Sequence, residues 1–264
     1  MRYLRWLAAA FSLYSRIPMP HLEWKDDDMA CSLAFFPLVG AVIGAVICLV
    51  NIPQQARELP AAVRVMLTLL APLLITGGFH LDGFMDTEDA LRSYAGREKK
   101  LEILRDPHVG AFAVIGLIRC MLILTCAVTY ILLYEPYSPG TILILASVFV
   151  TGRCLSALSS LLLRKARKDG MLYSETAGGK GGRRGLILFP AVLLAACSVW
   201  TLYLDAACGV AVLAAYALYT AYYRYRTYRE FGGVTGDTAG HFLVSAETAA
   251  CAALVAALFL KTCF

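Results

Sequence analysis

Three aspartates at helical spacing stand out as chemistry-bearing residues: Asp82, Asp86 and Asp89, within the stretch Gly77-Gly78-Phe79-His80-Leu81-Asp82-Gly83-Phe84-Met85-Asp86-Thr87-Glu88-Asp89. In a helix, spacings of four and three place all three carboxylates on one face. Like charges so arranged repel each other unless a cation sits among them. Oxygen-only donors suit Mg²⁺, which usually takes one or two carboxylates plus substrate phosphates. A solvated acidic helix cap is the plainer alternative, but it accounts for neither the three-acid face nor the glycine pair before it. The spacing therefore predicts Asp82, Asp86 and Asp89 as magnesium ligands facing a diphosphate.

A second polar constellation, Phe231-Gly232-Gly233-Val234-Thr235-Gly236-Asp237-Thr238-Ala239-Gly240, leads into the last apolar run. Glycines such as Gly236 allow close backbone approach, and amides at a helix start favour anions. Asp237 reads equally well as a further metal ligand or as a helix cap. The stretch Arg97–Asp106 sets Lys100 and Arg105 close to the acidic motif, where they either clamp phosphate oxygens or form a solvated charged face. Arg119, Arg153 and Glu247 fall inside apolar runs, where an ionised side chain needs a partner or a wet cavity. An Arg–Glu pair and an anion-binding cavity remain open for them.

The elements that must position these residues are set by composition. Of 264 residues, 59% are hydrophobic and 16% charged, against about 25% charged in an ordinary soluble domain. That excludes a soluble enzyme, a disordered chain and a disulfide-stapled secreted domain. The nine cysteines lie in or beside apolar runs without C-x-x-C spacing, which reads as packing. The chain reads as an all-α polytopic bundle, a single transmembrane catalytic domain over residues 1–264. Seven spans are expected: Met29–Asn51, Ala61–Phe79, Gly110–Tyr134, Thr141–Leu163, Leu186–Leu204, Ala206–Tyr223 and Gly240–Leu260. Tyr3–Tyr14, flanked by arginines and too short to span, reads as an interfacial helix; it lacks a signal-peptide cleavage site.

The N-terminal segment and the 80–109, 164–185 and 224–239 loops hold nineteen of the 24 lysines and arginines. The positive-inside rule places all of them in the cytoplasm, with the polar chemistry on that face. Orientation and anionic headgroups account for the net charge of +5 without a nucleic-acid partner. Gly178-Gly179-Lys180-Gly181-Gly182 reads as a mobile basic loop rather than a phosphate lid.

Gly77–Leu91, followed by Arg97–Phe112, resembles the signature of the cobalamin synthase family (adenosylcobinamide-GDP ribazoletransferase). The blocks FSLYSRIPMP, FFPLVGAVIGA and GGVTGDTAG extend the likeness over most of the chain, in order. The resemblance implies an Mg²⁺-dependent integral-membrane enzyme of late vitamin B12 assembly, in the bacterial inner membrane. It implies adenosylcobinamide-GDP and α-ribazole or its 5′-phosphate as substrates, with GMP released, and membrane lipid as a partner. A homo-oligomer is compatible with this reading. Carried over by position are His80, Asp82, Asp86, Asp89, Lys100, Glu102, Asp106, Gly236 and Asp237. Asp82 and Asp86 then bind the metal, Asp89 or His80 takes the hydroxyl proton, and Lys100, Arg105 and Arg153 hold phosphate oxygens.

This chain departs from the family pattern at Asp106-Pro107-His108, where the family often has Asp-Ser-Arg, and at Ala90, where glycine is common. Two lipid-phosphate classes compete, membrane prenyltransferases and CDP-alcohol phosphotransferases. The D-G-x-x-A-R start of the latter is absent. A transporter is the more distant rival, since the dense polar chemistry is cytoplasmic and no repeat is visible.

Overall fold

Apolar runs broken by Gly, Pro and charge fold into helices throughout the computed structural model, which describes residues 2–21, 23, 26–176 and 183–263. In chain order these are α1 (Arg2–Tyr14), α2 (Asp26–Asn51), α3 (Gln54–Arg57), α4 (Ala61–Thr76), α5 (Phe79–Arg92), α6 (Arg97–Ile103) and α7 (Ala111–Thr129). There follow α8 (Pro139–Leu162), α9 (Met171–Thr176), α10 (Arg183–Leu204), α11 (Ala206–Glu230) and α12 (Gly236–Cys263). Among the described residues there is no strand, and one isolated parallel bridge joins Lys165 to Val234. Gly178–Gly182 lies outside the described residues.

Six of these helices, α2, α7, α8, α10, α11 and α12, are long and apolar enough to cross a bilayer. The remaining expected span is broken: α4 ends at Thr76, and α5 leaves it at 92°. Gly77 and Gly78 make that corner with φ of 65° and 79°, a left-handed pair that side-chain-bearing residues avoid. Phe79 therefore belongs to α5, not to the second span. All three basic loops contain helix, the 164–185 segment in α9. The 80–109 segment contains α5 and α6, and α11 runs on through Arg224, Arg226 and Arg229 to Glu230.

The most interior span is α8, packed against α2, α10 and α12; α12 in turn carries α5, α7 and α11. Small residues permit this closeness. A Cβ on Gly44 would stand 2.9 Å from the Ala146 carbonyl of α8. The amphipathic α1 buries Trp6, Ala10, Phe11 and Tyr14 against α2, and Arg5 bonds Asp28 at 2.7 Å. All nine cysteines are free and most are buried, as packing residues should be.

Sequence-distant polar segments meet at one end of the bundle. Ala166 N–H donates to Val234 O (3.0 Å), Val234 N–H donates to Arg164 O (2.9 Å), and the Lys100 ammonium pairs with Glu230. This basic end carries α5, α6 and α9. Lys261 and Asp205 pair at the other end.

Candidate active site

The corner at Gly77-Gly78 turns α5 across the basic end of the bundle rather than through it. One end of α5 meets the start of α12, and the other meets the start of α7. At the first meeting, a Cβ on Gly83 would stand 2.7 Å from Asp237 Cα, and one on Gly240 would stand 2.8 Å from His80 O. The two backbones touch because neither residue has a side chain. The start of α12 is a reciprocal cap: Thr235 N–H donates to Thr238 Oγ1 (2.8 Å), and Thr238 N–H donates to Thr235 Oγ1 (3.2 Å). Capping by the threonines leaves Asp237 available to the cleft, with Thr235 Oγ1 donating to its Oδ2 at 3.3 Å.

Asp82, Asp237 and Gly236 line a cavity of about 400 Å³, together with His80, Arg105 and Arg167. Asp86 lies one turn along α5. Burial, then the charges of Asp82, Asp237 and Asp89, push its carboxyl up to about 7. These acids therefore form one electrostatic cluster whose members repel one another. Among the described residues no three His, Cys, Asp or Glu side chains gather tightly enough to hold a metal by themselves. A hard cation here would need substrate oxygens to complete its shell, which is how Mg²⁺ is usually bound.

The aspartate face divides its labour. Asp89 accepts from Gly110 N–H (2.7 Å) and Ala113 N–H (2.8 Å), capping α7. Its two oxygens are thus engaged, unlike those of Asp82, which is exposed to the cleft. His80 is packed against Phe36 and Phe79, at centroid distances of 5.1 and 5.2 Å. Burial, and the nearby Arg153 charge, push its imidazole down to about 3, so it is neutral, and its buried Nδ1 has no partner.

Two of the three expected phosphate contacts, Lys100 and Arg153, are placed away from the cleft. Lys100 is buried and held by Glu230, because α6 packs its ammonium toward the end of α11 and not into the cleft. Arg153 is 2% exposed and bonds Glu247 at 2.5 Å and Phe149 O at 3.0 Å. It is therefore engaged in the Arg–Glu pair. Arg119 pairs with Glu88 of α5 (2.9 Å). Arg105 does border the cleft, bonded to Asp169 at 2.6 Å. Asp106 accepts from His108 N–H (3.0 Å) in a tight local turn.

Sequence reasoning passed over Arg167, Glu175 and Tyr14, all in the cavity wall. The backbone bonds between 164–166 and Val234 carry Arg167 Nη2 to 3.9 Å from Asp237, with Nε and Nη2 buried and without hydrogen-bond partners. The basic run Arg164-Lys165-Ala166-Arg167-Lys168 was the available signal, but charge alone did not distinguish which cation faces inward. Tyr14 OH donates to Glu175 Oε1 at 2.7 Å, and burial pushes that carboxyl up to about 7. Acids and guanidinium groups around one cavity suit a cation-bridged diphosphate.

The cobalamin-5-phosphate synthase family model matches residues 6–255. The chain belongs to that family. A protein of Lachnoclostridium phytofermentans named adenosylcobinamide-GDP ribazoletransferase is 35% identical over 260 residues, covering 97% of this chain and 95% of its own length. Proteins of the same name from Clostridium botulinum strain Alaska E43 and Shewanella baltica are 31% and 30% identical, over 91% and 88% of this chain. No solved structure matches. Membership in the cobalamin-5-phosphate synthase family makes the chain a transferase of cobalamin synthesis, which decides against the prenyltransferase, CDP-alcohol and transporter readings.

Proposed function

We propose that this protein transfers adenosylcobinamide phosphate from adenosylcobinamide-GDP to α-ribazole or its 5′-phosphate, releasing GMP. In this reaction the acceptor's ribose hydroxyl oxygen, the 3′ one by family analogy, bonds to the cobinamide-side phosphorus. The P–O bond to the GMP phosphate breaks, and the hydroxyl proton passes to a base. The supporting observation is the cavity in which Asp82 and Asp237 share walls with Arg105 and Arg167.

The donor set fits Mg²⁺: it is all oxygen, and Arg167 offsets only part of the repulsion among its carboxylates. Asp82, Asp86 and Asp237 would hold it, with Asp89 capping α7 behind them. When bound, the cation would neutralise the diphosphate and the departing GMP. Arg167, with two guanidinium nitrogens that lack hydrogen-bond partners, would bind phosphate oxygens, aided by Arg105. For the base, His80 has no hydrogen-bond partner at Nδ1 while both Asp89 oxygens accept amide N–H groups, but burial makes the imidazole a weak proton acceptor, so neither group is chosen. Tyr14 and Glu175 shape the cleft beneath. By the positive-inside rule, the basic end faces the cytoplasm of a bacterial inner membrane. The test is GMP release by the purified protein in lipid, given adenosylcobinamide-GDP, α-ribazole and Mg²⁺. No release with either form of ribazole would overturn the reading.

A further inference from the structure

A second cavity, of about 610 Å³, opens on the other side of α5 from the acidic cleft. Positions 82, 86 and 89 form one stripe of α5, and Phe84, Glu88 and Leu91 form the opposite one. The second stripe roofs a groove between α7 and α11, with α12 as its back wall. The groove is polar at one end and apolar at the other.

At the polar end stand Arg92, Arg119 and Arg226, with side chains 41%, 48% and 36% exposed. Glu88 is shared by the first two, at 3.2 and 2.9 Å, and also by His241 at 3.2 Å. Arg226 reaches Glu230 at 3.7 Å, but that carboxylate already serves Lys100, and the buried Arg226 Nε has no hydrogen-bond partner. Three guanidinium groups therefore meet less than their own charge in carboxylates. Farther along come Ser245 and the mutually bonded Cys120 and Thr248, and then Ile123, Ala249 and Ala252. His241 and Ala252 are eleven residues apart on α12, so the groove runs about 16 Å along the span at 1.5 Å per residue. Tyr219 and Tyr222 line its side, amphipathic rings of the kind that settle at headgroup level.

We propose that this groove holds an anionic phospholipid. The phosphate rests among Arg92, Arg119 and Arg226, and one acyl chain lies along Ile123, Ala249 and Ala252. A soluble anion would use the arginines but leave the apolar trough without a purpose. A zwitterionic lipid would fill the trough but gain little from three guanidinium groups. The site is independent of the transfer reaction and is read by binding alone.

The test uses the full chain purified in neutral detergent. It is titrated with dioleoylphosphatidylglycerol, dioleoylphosphatidylcholine, inorganic phosphate and glycerol 3-phosphate, with bound lipid counted by native mass spectrometry. Phosphatidylglycerol should bind at least about fivefold tighter than phosphatidylcholine, and both soluble phosphates should compete poorly. Arg226→Gln should lose about fivefold, the effect of one basic residue at a membrane surface. Ala252→Trp should block the trough with either lipid. Arg57→Gln, at the opposite end of the bundle beneath Tyr137, should change nothing. If Arg119→Gln fails to fold because Glu88 loses its partner, Arg226→Gln and Ala252→Trp still decide. Equal affinity for the two lipids, unchanged binding in both variants, or efficient competition by inorganic phosphate would overturn the proposal.

Discussion

At the residue scale, Asp82 and Asp89 sit on one helix face yet should fail differently when replaced. Asp82→Asn and Asp86→Asn should each lower GMP release by at least about a thousandfold, the scale of losing a main electrostatic contributor, while melting temperature holds. Asp89→Ala should instead cost about 1 kcal/mol of stability through the lost α7 cap. Near-normal turnover in either asparagine variant would remove the metal role. Glu175 supplies the pH dependence. Its carboxyl titrates near 7 when folded and near 4.5 when unfolded, so the folded state binds more protons between those values. Stability from this group is therefore lost as pH rises from about 4.5 through about 7, then levels off. Glu175→Gln keeps an acceptor for Tyr14 and should flatten that slope, leaving the variant more stable than the parent at pH 8. Identical melting curves for the two proteins across that range would refute the assignment.

At the element scale, the junction of α5 with α12 is the feature most sensitive to a single methyl group. A Cβ at Gly83 meets backbone, not a flexible side chain that could turn aside. Gly83→Ala should therefore separate Asp82 from Asp237 and reduce kcat by about a hundredfold, as misplacements near 1 Å can do. Parental activity would mean that the two helices can part without cost. Inside the bundle, α8 and α12 are joined by Arg153 and Glu247. Glu247→Gln strands a buried guanidinium and should cost about 3–5 kcal/mol. Adding Arg153→Gln should recover part of that loss, and a double variant that is merely the sum of the singles would show that the pair is not coupled.

At the scale of the whole molecule, chemistry is concentrated at one end of the bundle, where α5, α6, α9 and the starts of α7 and α12 converge. Single cysteines introduced at Arg97 and Arg226 of a cysteine-free chain should resist an impermeant thiol reagent added to intact cells, while one at Arg57 should react. Labelling in the reverse pattern would invert the topology and move the active site to the other compartment.

The bilayer makes much of this protein legible from composition alone. Backbone groups in lipid must bond internally, so long apolar runs had to become helices. Lysines and arginines on alternate connections then predict how they are oriented. The spacing of Asp82, Asp86 and Asp89 likewise exposed a shared acidic face, because helical periodicity is local. Which partner each charge meets is not local. Arg153 and Glu247 lie 94 positions apart, and their pairing depends on α8 and α12 being neighbours. Lys100 carries the same charge as Arg167, yet packing turns it toward Glu230 and leaves Arg167 facing Asp237. Asp89 resembles Asp82 in type and face, but Gly110 and Ala113 occupy it once α7 starts beside it. Chain spacing can place carboxylates on a common face, but long-range packing decides which of their lone pairs remain available.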